Sequence, residues 1–93
     1  MSLEFEWDED KAKKNLKKHG VSFDEAMTIF GDPLSSTIHD PLHSDDEDRY
    51  VMLGESIHGR LLVVVFTDRD ERIRIISARA ATRKERKDYE EGR

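Results

Sequence analysis

The chain has 93 residues, of which 35% are hydrophobic and 40% charged, with 21 acidic against 16 basic side chains and a formal net charge of −5. A chain this long forms one compact core and leaves no room for a second, so one domain spanning residues 1–93 is expected. The absence of cysteine excludes disulfides, a thiol nucleophile and thiolate metal sites, and no apolar run reaches membrane-spanning length. The stretch Met1–Asp10 is acidic, unlike a signal peptide, and a cytoplasmic location is expected.

Charge is unevenly spread. Residues 1–48 carry thirteen acids against five lysines, whereas residues 69–93 carry nine basic and six acidic side chains. An acidic whole disfavours indiscriminate binding to polyanions, while the basic C-terminal third permits a local anion site.

In chain order, Leu3-Glu4-Phe5-Glu6-Trp7 alternates apolar and acidic residues and predicts a short strand with one buried face. Asp8 stands where a helix N-cap belongs, with Glu9 and Asp10 in the first turn. Ala12, Leu16 and His19 then mark the inner stripe of a lysine-rich helix over 9–19, which Gly20 stops. Ser22-Phe23-Asp24-Glu25 has capping-box spacing and opens a second helix over 22–31, with Phe23, Ala26, Met27 and Phe30 on one face.

Four strands follow. Leu34–His39 contains Thr37 and Ile38. After an acidic loop, Arg49–Ile57 alternates, with Val51, Leu53 and Ile57 on one face and Tyr50 and Met52 on the other. His58-Gly59 suits a hairpin turn, and Leu61–Phe66, apolar on both faces, is the expected central strand. Asp68–Glu71 is a second tight turn before Arg72–Ala78, whose alternation sets Ile73, Ile75, Ser77 and Arg79 on one face. Thr82-Arg83-Lys84-Glu85 opens a last charged helix over 83–91. The order β-α-α-β-β-β-β-α predicts an α+β domain with an antiparallel meander, two N-terminal helices and one C-terminal helix.

Several segments, in order, resemble the BrnT family of toxins: Phe5-Glu6-Trp7-Asp8, Lys18-His19-Gly20-Val21-Ser22-Phe23, Asp32-Pro33-Leu34, Arg49-Tyr50 with Leu53-Gly54, Gly59-Arg60-Leu61-Leu62-Val63-Val64-Val65, Ile73-Arg74-Ile75-Ile76-Ser77-Ala78-Arg79 and Thr82-Arg83-Lys84-Glu85-Arg86. The resemblance implies a RelE-like ribonuclease fold and cleavage of RNA that arrests growth. It also implies neutralisation by a ribbon-helix-helix antitoxin of the BrnA type, with DNA engaged only indirectly, through the toxin–antitoxin complex. The alternative it leaves open is a catalytically inactive module that pairs with an antitoxin for transcriptional autoregulation. An uncovered hydrophobic sheet or helix surface is expected where the antitoxin docks.

Metal-independent RNA cleavage needs help in removing the 2′-hydroxyl proton, cations to stabilise the phosphorane and a proton for the leaving 5′-oxygen. Arg79 is the first candidate, as an arginine near a basic helix N-terminus, and its alternative is a salt bridge to Glu85. Arg69, in the turn between the last strands, is the second. His19 is a candidate proton carrier or, alternatively, a cap on the last helical turn. Arg49, Arg60, Arg74 and Arg83 are candidates for RNA binding. His39 and His43 near Asp45, Asp46 and Asp48 lack the geometry of a metal motif, and no metal or other cofactor is expected. Trp7 reads as a core plug rather than a base-stacking platform.

Overall fold

The computed structural model describes residues 3–40 and 48–92. The elements are β1 (Glu4–Glu6), α1 (Glu9–His19), α2 (Phe23–Met27), a 3-10 turn (Thr28–Gly31), β2 (Ser36–Asp40), β3 (Arg49–Glu55), β4 (Leu61–Arg69), β5 (Arg72–Ala80) and α3 (Arg83–Glu91). The five strands form one sheet in the order β1-β5-β4-β3-β2.

The fold is α+β, but the sheet is mixed, which corrects the expectation of a purely antiparallel RelE-like meander. Strands β2 to β5 are antiparallel neighbours, while β1 lies parallel to β5, with Glu4, Phe5 and Glu6 opposite Arg72, Ile73 and Arg74. Local chemistry accounts for the choice of partner, though not for its direction. Phe5 and Ile73 join the core, and the acids flanking Phe5 meet arginines: Arg74 Nη1 lies 3.0 Å from Glu6, and Arg72 3.5 and 3.6 Å from Glu4 and Glu6. An acid–apolar–acid strand thus matches an Arg-Ile-Arg strand residue for residue.

Helices α1 and α2 and the 3-10 turn cover one face of the sheet. Val21, Phe23, Ala26 and Ile29 meet Leu62, Val64, Phe66, Ile75 and Ala78 there, all buried. Edge-to-face ring pairs join the layers, with centroids 5.0 Å apart for both Phe5–Phe30 and Phe30–Phe66 and 5.9 Å for Trp7–Phe23. Gly54 lets β3 pass close under the 3-10 turn, where a Cβ would stand 3.1 Å from that of Ser35 and 3.2 Å from that of Ile29 and would press both neighbours outward by a few tenths of an ångström.

The start and stop of α1 follow the sequence. The Asp8 carboxylate accepts from the amides of Asp10 and Lys11, and Gly20 ends the helix at φ +69°. Its inner face does not follow. Leu16 is half exposed and His19 exposed, and the buried residue is Asn15. Strand β1 pairs with β5 only as far as Arg74, so further along β5 the helix meets strand backbone rather than side chains. Asn15 answers that backbone: Nδ2 donates to the carbonyls of Ala78 (2.8 Å) and Val21 (2.9 Å), and Oδ1 accepts from the Ala78 amide (3.1 Å).

Further details differ. Strand β2 is Ser36–Asp40 instead of Leu34–His39, β5 runs on to Ala80, and β4 runs on to Arg69, so that Arg69 closes the strand and the expected Asp68–Glu71 turn shrinks to Asp70 and Glu71, both at positive φ. The second helix is α-helical only to Met27, and Thr28 then donates its hydroxyl to the Glu25 carbonyl (2.6 Å), drawing the backbone into a 3-10 turn. Strand β3 ends at Glu55, and Ile57 is exposed in the turn that follows instead of lying on the strand face. Strand β5 carries a bulge: Val65 pairs with Ser77 but Phe66 with Ile75, so Ile76 is the extra residue. The bulge reverses the alternation, and Arg79 falls opposite Val63 on the face away from α1 and α2, not beside Ile73 and Ile75.

Asn15→Ala removes three hydrogen bonds and leaves buried backbone groups on β5 without partners, so a loss of about 3 kcal/mol is expected. Urea unfolding of the variant measures it, and a loss under 1 kcal/mol contradicts the clamp.

Candidate functional site

The face of the sheet away from α1 and α2 gathers the guanidinium groups. Register places Arg49, Thr67 and Arg74 in one row across β3, β4 and β5, with Arg69 opposite Arg72 two residues further on. Arg49 and Arg74 are half-buried, Arg69 is exposed, and the Thr67 hydroxyl between the first two is buried with no hydrogen-bond partner among the described residues. Arg74 is held by Glu6.

Arg79 lies on the same face at the other end. Val63 opposite Arg79 and Arg69 on the same strand are six residues apart, roughly 20 Å along β4. The structure therefore does not bring Arg79 and Arg69 to one phosphate. Arg79 instead forms a two-pronged ion pair with Glu85 of α3, Nη1 to Oε1 at 2.8 Å and Nη2 to Oε2 at 2.9 Å, and Nη1 also reaches the Ala80 carbonyl at 3.3 Å. Its Nε–H has no partner among the described residues. Glu85 also accepts from the Thr82 amide (2.8 Å) while Thr82 caps the Glu85 amide, completing the capping box. The Arg79 guanidinium, and then that amide, hold the Glu85 carboxyl down at about 2, so it is ionised throughout the physiological range. Arg83 is exposed one residue beyond the Thr82 cap.

Arg60 is committed elsewhere. Its Nε donates to Glu25 at 3.0 Å, and its Nη2 donates to the same carboxylate and to the Gly20 carbonyl at 3.1 Å. Ser56 donates to Glu25 at 2.7 Å, and the site ties the β3–β4 turn to the junction of α1 and α2. Glu25 is 7% exposed, and the Arg60 hydrogen bond keeps its carboxyl below the usual range. A capping-box glutamate predicted to turn back on its own helix reaches across the fold instead.

His19 stands at the far side of β5, in a shallow depression of about 230 Å³ shared with Lys11, Lys14, Asn15, Lys18, Ile76 and Ser77. Ser77 and Arg79 are two residues apart on β5, so His19 and Arg79 flank the same half of that strand. His39 contacts Asp48 at 3.2 Å, while His43, Asp45 and Asp46 lie outside the described residues. Among the described residues no three acids or histidines form a metal cluster. Trp7 is half-buried against Phe23 and donates its indole N–H to Glu9.

Sequence reasoning missed Asn15, Glu25 with Ser56, the hydrogen bond from Tyr89 to Asp32 (2.6 Å) that seats α3 beside β3, and the lysine face of α1. Only the last had a legible signal, the i, i+3, i+7 spacing of Lys11, Lys14 and Lys18.

The family model that matches residues 7–85 describes a ribonuclease toxin of a type II toxin–antitoxin system. The chain belongs to that family, BrnT, and its partner is an antitoxin. Among solved structures it is similar to the crystal structure of the Brucella abortus ribonuclease toxin BrnT, at 25% identity over 88% of this chain and 100% of that one, with a TM-score of 0.65. A comparison with curated proteins gives no match. No helix among the described residues is long and apolar enough to cross a membrane.

Two measurements check the electrostatics. Arg60→Met strands a buried carboxylate, and since Arg60 itself is half exposed, a loss of about 2 kcal/mol is expected, partly restored by adding Glu25→Gln. Glu25 and Glu85 both have carboxyls held below 4.5, so their contribution to stability is complete above that pH and is lost as pH falls below it, for Glu85 as pH falls towards about 2. Acid unfolding of Glu85→Gln should show a shallower loss than the wild type over that window, and superimposable curves contradict the pairing.

Proposed function

We propose that the chain, as a single toxin domain over residues 1–93, is a metal-independent endoribonuclease whose substrate lies on the arginine face. The observation that carries this reading is the gathering of Arg49, Arg69, Arg74 and Arg79 on one face of the sheet in a member of a ribonuclease toxin family. The β2–β5 meander serves as a RelE-like scaffold, and the protein acts in the cytoplasm. Its partner is a BrnA-type ribbon-helix-helix antitoxin, through which DNA is engaged indirectly.

In the reaction the 2′-oxygen attacks phosphorus, its proton leaves to a base and the 5′-oxygen departs with a proton. Arg79 stabilises the developing charge: the pairing with Glu85, which fixes its plane, supports this role, and the Nε edge meets a phosphate oxygen. His19, on the other flank of the same half of β5, is the proton carrier. Arg49, Arg69 and Arg74, at the far end, hold neighbouring phosphates instead of the scissile one, with Arg83 a further contact at the start of α3. Arg60, clamped to Glu25, contributes to RNA binding only by fixing the fold around it.

Cleavage of RNA by purified protein in excess EDTA, together with growth arrest on induced expression, tests the reading. Arg79→Ala should lose roughly 10²–10³ in rate, and Arg79→Lys should recover little of it because an ammonium cannot reproduce the fork. Arg69→Ala should raise KM with kcat nearly intact. Full activity of Arg79→Ala with a native melting temperature would refute its role, and abolition of cleavage by EDTA would refute metal independence.

A further inference from the structure

The arginines of the sheet are largely neutralised within the fold. Arg72, Arg74 and Arg79 each meet a carboxylate, as does Arg60 in the turn before β4. The lysines of α1 are different. Lys11, Lys14 and Lys18 are exposed, and none of their ammonium groups forms an ion pair within 4 Å among the described residues. Lys11 feels the charge of Asp8, whose carboxylate is taken up by the amides of Asp10 and Lys11. In a chain of net charge −5, this is a concentrated cationic surface.

Three features make it more than a solvated helix face. The three lysines recur at i, i+3 and i+7 and so form one stripe, about 10 Å long at 1.5 Å rise per residue. The stripe walls a depression with an apolar floor at Ile76, the residue that the β5 bulge adds to the strand. Asn15, in the middle of the stripe, is bonded to Ala78 and Val21, so the lysines are borne on a helix fixed to the sheet. Ser77 lines this depression and also lies on the arginine face, opposite Val65 and next but one to Arg79. The two cationic surfaces therefore meet at the outer edge of β5.

We propose that the Lys11, Lys14 and Lys18 face of α1 is a second contact tract for single-stranded RNA. It holds the phosphate backbone of the strand after that strand has crossed the edge of β5 from the arginine face. The proposal deepens the ribonuclease reading and rests on it for the identity of the ligand. Lysine suits such a tract because it binds phosphate as a point charge without demanding a fixed orientation, and the resulting binding is indifferent to sequence and steeply dependent on salt. The tract gives an acidic protein a localised means of holding a polyanion, with the apolar floor at Ile76 available to a base. It makes substrate length matter: RNA long enough to span both surfaces binds more tightly than RNA that reaches only the arginine face.

The test uses the full chain and a single-stranded RNA methylated at every 2′-oxygen, so that binding is read without cleavage. Lys14→Gln/Lys18→Gln is compared with Lys13→Gln/Lys17→Gln, which removes the same charge from the same helix outside the stripe. The first pair should weaken binding roughly tenfold and lower the slope of log Kd against log salt by about 1.4, near 0.7 for each lost contact. The second should change Kd by less than about twofold, as expected for screened charges outside the contact. Equal losses in both pairs would overturn the tract, since only the overall charge would then matter. Unchanged RNA binding by Lys14→Gln/Lys18→Gln would also overturn it, including the case in which that variant loses affinity for the antitoxin alone. Cleavage of ordinary RNA is followed in parallel. Lysine-dependent binding by a wild-type protein that cuts nothing supports the tract and refutes the cleavage centre, whereas cleavage without lysine-dependent binding does the reverse.

Discussion

Everything on the helix-covered side of the sheet depends on how α1 is joined to β5. A strand that leaves the last paired position still presents amides and carbonyls along its open edge, and burying them without partners is costly. Here one side-chain amide supplies a donor and an acceptor to Ala78, as a neighbouring strand would, and with its second N–H holds the Val21 carbonyl just after the helix stop. That single residue fixes the distance of α1 from the sheet and the path of the chain into α2, and with them the burial of Val21 and Phe23. The apolar contacts then supply most of the stabilisation, but their geometry follows from the polar one.

The same fold handles charge by two different rules. On the sheet, cations stand against anions in pairs set by strand register or by a capping box, and Glu85 serves both purposes at once. Such groups are oriented and have low conformational freedom, which is what recognition of a phosphate at a defined place requires. On α1 the lysines are exposed and form no ion pair among the described residues, which suits attraction over a distance and release at high salt. A net charge of −5 describes neither population, and the spatial separation of the two is the more informative quantity.

Much of this was legible in the residues. Every strand and helix that the patterning predicts is present, with several ends displaced by two to four residues, because Asp8, Gly20, Ser22, Gly59 and Thr82 are strong local punctuation and β4 is apolar on both faces. What failed were inferences that need long-range pairing. Nothing in Glu4-Phe5-Glu6 says that its partner is Arg72–Arg74, nor that the two run parallel. The extra residue at Ile76 leaves no mark in an apolar strand, yet it moved Arg79 to the other face. On α1 the hydrophobic stripe pointed to Leu16 and His19, whereas the surface being met was backbone and selected Asn15. The candidate arginines were correctly suspected of having acidic partners in the case of Arg79 and Glu85, while the Arg60–Glu25 clamp, 35 residues apart in sequence, had no local signature.

The way α3 is seated has a kinetic consequence. None of its residues is fully buried, and its two half-buried side chains, Glu85 and Tyr89, are polar at the contact, one bonded to Arg79 and the other to Asp32. An element with no fully buried residue opens with a free energy well below that of the whole molecule. Its amides should therefore exchange with solvent hydrogen long before those of β4. Each opening also releases the Arg79 fork from its carboxylate, so the rotational freedom of that guanidinium is set by the lifetime of the C-terminal helix rather than by the sheet on which the arginine sits.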